Sequence, residues 1–390
     1  MAMRPGVQEA GPTFRGECRQ PRICSASGLG GVHTPTVAWR PVTLYDLDRD
    51  ALGTLLATEP SFRVDQLWDG LYRQGHPVAE LTNLPASLRR QLVTDHPDAL
   101  SEIQRSVSDG GETVKWLWTL ADGAKVESVL MHYPRRTTVC VSTQAGCAMA
   151  CDFCATGQAG FTRNLTSGEI LEQVVRARQS AVPRRVDNIV FMGMGEPMAN
   201  FDNTWAAVQR LHHDMGLSAR SLTISTVGLI PGIRRMTAED LPVNLAVSLH
   251  AADDALRDRL VPINRRYPLG ELMDACAEYV EVKRRRLSFE WALIDGVNDR
   301  GEDAERLSAL CGPLRAHVNL IPLNPTDGFA TRGSPPQRVS AFADHLRRLG
   351  INATVRANRG TDIDAACGQL SASANGPEIR VDLGSTRPTL

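Results

Sequence analysis

The segment CVSTQAGCAMACDFCATGQAGF, residues 140–161, places four cysteines within fifteen residues. Three of them, Cys147, Cys151 and Cys154, have the spacing CxxxCxxC. Three thiolates on one short loop can hold three irons of a cubane cluster. No fourth cysteine completes the loop in ferredoxin fashion, so one iron would stay open to chelate the amino and carboxylate groups of a small substrate. The competing reading is zinc. Structural zinc usually takes two close ligand pairs, and the chain offers no second C-x-x-C pair.

Other candidates stand at the ends of apolar runs. FMGMGEP, residues 191–197, pairs a glycine turn at Gly195 with a carboxylate, Glu196, that can accept from an ammonium group. Ser225 closes ISTVG, Ser248, Leu249 and His250 close AVSLH, and Asn324 closes NLIPLNP. Each alone is an ordinary strand-terminal residue, but their repetition after the cysteine loop points to a ligand-lined mouth. Cys140 precedes the loop, and Cys367 lies far off in the polar stretch RGTDIDAACGQL. By residue type alone both read as buried thiols, as do Cys18, Cys24, Cys276 and Cys311. Cys367 differs in following the last expected strand, where its loop could fold over the mouth. Glu127, in KVESVLM, reads by itself as an exposed strand carboxylate.

These residues need a scaffold of alternating strands and helices. The expected strands are TVCVST, 188–192, 222–225, 245–249, 289–293, 318–321 and 353–355, with helices near 166–179, 203–214, 270–285, 301–311 and 337–349. The capping box Thr166-Ser-Gly-Glu169 opens the first of these helices. Such repetition implies parallel strands with right-handed crossovers, and about six units favour an α/β barrel or partial barrel. The expected organisation is a disordered extension over 1–40, a small helical domain over 41–112, a connecting β-hairpin over 113–132 turning at Asp122-Gly123, the core over 133–370 and a flexible tail over 371–390. An organelle transit peptide is the alternative for the arginine-biased first forty residues.

Net charge is −1 and 42% of residues are apolar. That allows a sizeable core and assigns any nucleic-acid contact to local clusters: Arg89-Arg90, Arg135-Arg136, Arg184-Arg185 and 283–286. No apolar run reaches membrane-spanning length and no secretory signal opens the chain, so a reducing, cytoplasmic setting is expected.

The cysteine loop, with Phe153 before its last cysteine, resembles the signature of the radical S-adenosylmethionine enzymes. That resemblance implies a partial (βα)6 TIM-like barrel, one 4Fe–4S cluster, and cleavage of S-adenosylmethionine to a 5′-deoxyadenosyl radical. Together with GMGEP, ISTVG, SLHA, VPINRRY, HVNLIPLNP and RGTDIDAACGQL, the loop resembles the RlmN/Cfr family of RNA adenine methyltransferases over about residues 62–370. The stretch FRVDQLWDGLYRQG to LTNLPASLRRQL is similar to that family's N-terminal RNA-associated domain. The resemblance implies cluster ligation by Cys147, Cys151 and Cys154, and S-adenosylmethionine contacts from Gly195, Glu196, Ser225, Ser248, Leu249, His250 and Asn324. It implies Cys367 as a methyl carrier, Cys140 as the thiolate that releases product through a transient disulfide, and Glu127 as proton acceptor, with two S-adenosylmethionine molecules consumed per turnover. It further implies 23S rRNA and tRNA substrates, a reduced flavodoxin- or ferredoxin-type electron donor and a monomer. Carbon-2 of the adenine is the favoured target. A carbon-8 enzyme, a radical enzyme acting on a small molecule and a non-catalytic metal-bearing RNA-binding protein are the rival readings.

Overall fold

The computed structural model describes residues 42–326, 331–356 and 359–372. The expected extension over 1–40 lies outside these residues, as do Cys18, Cys24 and nearly all of the expected tail. Three helices come first: α1 (Arg49–Leu55), α2 (Phe62–Trp68) and α3 (Ala86–Asp95). They belong to the same compact unit as everything that follows. Part of what holds them is a buried carboxylate, Glu172, which accepts from the backbone N–H groups of Ala99 and Leu100 at 2.7 and 3.2 Å.

Three antiparallel strands follow, β1 (Ser101–Ser108), β2 (Thr113–Thr119) and β3 (Lys125–Tyr133). Strand β1 occupies a stretch expected to close the helical segment. Its sequence, SEIQRSVS, buries residues only toward its end, so the two-residue apolar alternation that marks a strand is missing. Strands β2 and β3 turn between Leu120 and Ala124, where Gly123 takes φ +81°. They do not form a separate connector, because β3 pairs antiparallel with β4 (Arg136–Cys140), and all four strands belong to one sheet.

After β4 comes a small hairpin of β5 (Gln144–Gly146) and β6 (Phe161–Asn164), with the short helix α4 (Ala155–Gln158) between its strands. Strict alternation then begins. The chain runs α5 (Ser167–Ala181), β7 (Asn188–Phe191), α6 (Phe201–His213), β8 (Leu222–Thr226), α7 (Ile230–Ala238) and β9 (Asn244–Ser248). It continues with α8 (Asp254–Leu260), α9 (Leu269–Lys283), β10 (Leu287–Leu293), α10 (Gly301–Cys311), β11 (His317–Pro322), α11 (Pro336–Arg348) and β12 (Asn352–Val355). Strands β4 and β7–β12 are parallel neighbours in that order, forming the curved wall of a partial barrel. The pattern behind the wall is simple. β10 buries six of its seven residues, as expected for a strand covered on both faces. α6 buries Phe201, Thr204, Trp205, Val208 and Leu211, a stripe at three- and four-residue spacing. The Thr166–Glu169 capping box is present at the start of α5. Cys276 and Cys311 are fully buried thiols in the core. Among the described residues, no helix is long and apolar enough to cross a membrane.

The sheet leaves β1 and β12 unpaired at its two edges. The chain after β12 crosses toward the β1 side and is fastened there. Arg359 donates to the His132 carbonyl at 2.8 Å and lies over the Tyr133 ring, and Gly360 N–H reaches Asp109 at 3.2 Å. Ser108 bonds Asp362, and Lys115 donates to the Asp364 carbonyl at 3.4 Å.

Candidate active site

Of the thirteen residues singled out for chemistry, eleven border one cavity of about 180 Å³ inside the barrel. These are Cys140, Cys147, Cys151, Cys154, Gly195, Glu196, Ser225, Ser248, His250, Asn324 and Cys367. They come from the C-terminal ends of strands or the loops just beyond, where barrels of this kind place their chemistry.

The cysteine loop is held in shape by its own backbone. Cys147 N–H donates to the Gly160 carbonyl at 2.7 Å, across the base of the β5–β6 hairpin. Gly146 takes φ +78°, and any Cβ there would collide with that same carbonyl, so the loop can close only on glycine. Burial pushes the Cys147 thiol up to about 12 and the Cys151 thiol well above its ordinary value, and the neighbouring thiols push in the same direction. Three thiolates in this place therefore call for a compensating cation. Among the described residues no group of three or more His, Cys, Asp or Glu stands ready to hold a metal ion. A cubane makes a different demand: each thiolate takes its own iron, so the sulfurs stand apart around a shared void. Three sulfurs bordering one cavity, with no fourth thiol on their loop, fit that donor set.

Opposite the loop, Glu196 is buried and wired to the backbone. It accepts from Met198 N–H at 3.0 Å and Val227 N–H at 2.9 Å, and burial raises its pKa to about 7. Gly195, at φ +99°, lets the turn pass against Gln144, where a Cβ would strike the side chain. His250 accepts from Ala292 N–H through Nδ1 at 3.0 Å, which puts its ring proton on Nε2. Burial and Arg257 lower its pKa to about 3, so the ring is a neutral donor, packed edge-on against Phe153 at 4.7 Å.

Arg257, from α8, is fully buried and ties the strand ends together. It donates to the carbonyls of Leu249 at 3.1 Å, Val227 at 2.6 Å and Ser248 at 3.3 Å, and to Asn264 at 2.7 Å. Arg257→Ala would orphan three carbonyls and open a void. The expected cost is about 3–5 kcal/mol, a fall of roughly 4–6 °C in the unfolding midpoint by calorimetry.

Cys367 arrives from the far end of the chain. Its carbonyl accepts from Asn324 Nδ2 at 3.1 Å, and the next carbonyl, Gly368, accepts from Ala155 N–H at 2.8 Å. Thr156 donates to the Leu370 carbonyl at 2.5 Å, so this segment docks directly on the cysteine loop and α4. Cys140 is buried at the end of β4, and burial pushes its thiol up to about 12, with Cys367 adding to the rise and Arg356 opposing it. Both cysteines are free thiols.

Two singled-out residues lie off the cavity wall. Leu249 is fully buried in the core, its carbonyl held by Arg257 and its N–H donating to the Glu290 backbone carbonyl. Its place in the motif is that of a packing residue between two polar ones. Glu127 is buried on β3, paired with Lys115 at 2.9 Å, and accepts from the N–H groups of Ser371 and Ala372 at 2.9 and 3.2 Å. One member of each basic cluster is engaged within the chain: Arg184 pairs with Glu112 at 2.9 Å, Arg89 caps the Ala79 carbonyl, Arg285 bonds Asn244, and Arg136 lies over Tyr133. Conversely, Tyr133, Glu290, Arg356 and Arg359 line the cavity without having been anticipated. Each is one charged or aromatic residue within a strand or just past its end, and no spacing rule marks it.

The radical SAM superfamily profile matches residues 141–307. A protein from Parafrankia sp. named "Probable dual-specificity RNA methyltransferase RlmN" is 51% identical over 368 residues, covering 88% of this chain and 94% of its own. One of the same name from Chloroflexus aurantiacus is 50% identical over 352 residues, 86% of this chain and 94% of that protein. The crystal structure of a radical SAM methyltransferase from Sphaerobacter thermophilus is 49% identical, covers 85% of this chain and all of its own, and superposes with a TM-score of 0.83. With identity near one half across nearly the whole length of these relatives, and the cysteine loop at the mouth of the same barrel, the chain belongs to the RlmN family of radical SAM RNA methyltransferases.

Proposed function

We propose that this enzyme methylates carbon-2 of adenosine 2503 in 23S rRNA and of adenosine 37 in tRNAs, in the cytoplasm, as a monomer supplied with electrons by a flavodoxin- or ferredoxin-type donor. The observation that carries the reading is the meeting of Cys140 and Cys367. They lie 227 positions apart in the chain, yet they border one cavity together with the three thiols of the cysteine loop. A radical enzyme acting on a small molecule would need neither of them.

Cys147, Cys151 and Cys154 would hold a 4Fe–4S cluster, and Glu196, Ser225, Ser248, His250 and Asn324 would seat S-adenosylmethionine. When bound, these two supply the methyl group and a one-electron route to hydrogen-atom removal. The remaining chemistry belongs to the chain. An adenine ring carbon flanked by two nitrogens is electron-poor and cannot attack a sulfonium methyl as a nucleophile. Cys367 avoids the problem by first taking the methyl on its own sulfur, then presenting that carbon, less one hydrogen atom, as a radical that adds to the ring. A covalent carrier divides one difficult transfer into easier steps. Glu127 would receive the proton displaced from the ring carbon. It is bonded to Ser371 and Ala372, the residues that follow the cavity-lining Leu370, so this role requires those bonds to open. Once the adduct has lost that proton to Glu127 and one electron to a one-electron acceptor, such as the oxidised form of the donor protein, Cys140 as a thiolate attacks the Cys367 sulfur. The S–S bond forms, and the carbon–sulfur pair returns to the base, which takes up a proton and leaves methylated.

The carrier assignment has a direct test. Enzyme isolated from cells with its cluster intact should yield a Cys367 tryptic peptide heavier by one methyl group. An unmodified peptide from enzyme that still methylates RNA would overturn the assignment.

A further inference from the structure

Glu290 lies on β10 and borders the cavity. One oxygen is fixed: Oε1 accepts from Asn319 Nδ2 at 2.8 Å and from Ser288 Oγ at 3.3 Å. The other, Oε2, is buried and has no hydrogen-bond partner. The whole residue is 4% exposed. Native proteins keep few such atoms, since a buried acceptor without a donor carries its full desolvation cost. An unpaired acceptor on a cavity wall, with its twin oxygen clamped, is built for a donor carried by a ligand.

The neighbours indicate which ligand. Burial raises the Glu290 pKa and the Arg356 guanidinium opposes the rise; Arg356 in turn has Cys367, Tyr133 and Cys140 near it. The other cavity carboxylate, Glu196, acts on Cys147 and Cys151. The two acids therefore serve different regions, Glu196 the cluster loop and Glu290 the surroundings of the carrier sulfur. Whatever Cys367 alkylates must come to that region. An adenine ring carries one good donor, its exocyclic amine.

The geometry points to Glu290 Oε2 as the acceptor of a hydrogen bond from the exocyclic amine of the RNA adenine presented to Cys367, which makes Glu290 a residue that sets base specificity. The inference rests on the RNA-methylating reading above. Guanine, with a carbonyl oxygen in place of that amine, would set two acceptors against each other. S-adenosylmethionine carries the same amine, so the test must separate the two sources.

The probes are two anticodon stem-loop RNAs, one with adenosine at the target position and one with purine riboside, which lacks only the amine. Wild-type enzyme should first methylate the adenosine hairpin, read by mass spectrometry; failure there would overturn the functional reading and this inference with it. In fluorescence anisotropy with cluster-loaded enzyme and no reductant, wild type should bind the purine hairpin at least about tenfold more weakly than the adenosine hairpin. Glu290→Gln would keep Oε1 on Asn319 and place an NH2 group where Oε2 stood. It should bind the adenosine hairpin no more tightly than the purine hairpin, since its NH2 group would face the adenine amine donor to donor, and it should bind S-adenosylmethionine without RNA as wild type does. Equal binding of the two hairpins by a methylating wild-type enzyme overturns the inference, and that measurement needs no variant to fold. Retained discrimination by Glu290→Gln also overturns it. A tenfold loss of S-adenosylmethionine binding by the variant would instead assign Glu290 to the cofactor and overturn it as well.

Discussion

Alanine at Cys140 should stop the enzyme with its RNA still attached. Without the resolving thiolate, the carbon bridging Cys367 and the base has no route off the sulfur. Turnover should fall to less than one product per enzyme, and a protein–RNA adduct should accumulate. Because the link is a thioether, it should survive reducing, denaturing gels. Adding Cys367→Ala should erase the adduct, since no carbon is then loaded. Two merely structural thiols would instead give modest losses of stability and no adduct in any variant. Release of methylated RNA by Cys140→Ala at the normal rate would refute the resolving role.

The wild-type enzyme should carry a pH signature of the same step. Burial pushes the Cys140 thiol up to about 12 from an ordinary value near 9, so in the resting cavity the sulfur is protonated at neutral pH. Below that pKa the thiolate fraction rises about tenfold per pH unit. Single-turnover release of product should therefore accelerate with pH through the neutral and mildly alkaline range, whereas Cys367 methylation should not follow that slope.

Cys151→Ala has the other large expected effect. The residue is buried at 6% exposure, and it is one of the three cysteines of the loop, all of which border the cavity. As a packing residue it would cost about 1 kcal/mol when trimmed to alanine, and the protein would otherwise be unchanged. As a cluster ligand its loss removes one of only three protein sulfurs. Protein purified without oxygen should then be colourless, carry near-background iron and sulfide, and cleave no S-adenosylmethionine. A brown, fully active Cys151→Ala enzyme would exclude the ligand role.

The core elements were legible because their patterns are local. Alternating apolar strands and amphipathic helices announce themselves in windows of five to fifteen residues, and β7–β12 fall within two or three residues of where those windows put them. Strand β1 was hidden because its pairing with β2, rather than its own residues, makes it a strand. The cysteine loop was legible for a related reason: its chemistry is written in spacing. Glu290 and Arg356 were not, since their importance arises from one unpaired oxygen and one shared charge that only the closed barrel brings together. Glu127 stood out by its motif, but no motif reveals that the end of the described chain covers it.

The fastening of the segment after β12 onto β1–β3 also sets an order of events during synthesis. Cys154 leaves the ribosome more than two hundred residues ahead of Cys367. At roughly 5–20 residues per second, that leaves about 10–40 s in which the cysteine loop exists without the strand and strap that later cover it. Bonds such as Ser371 to Glu127, between residues 244 positions apart, form only after residue 371 has been made. Cys140 and the three cysteines of the loop are thus all made while the side of the cavity that Cys367 later borders is still open.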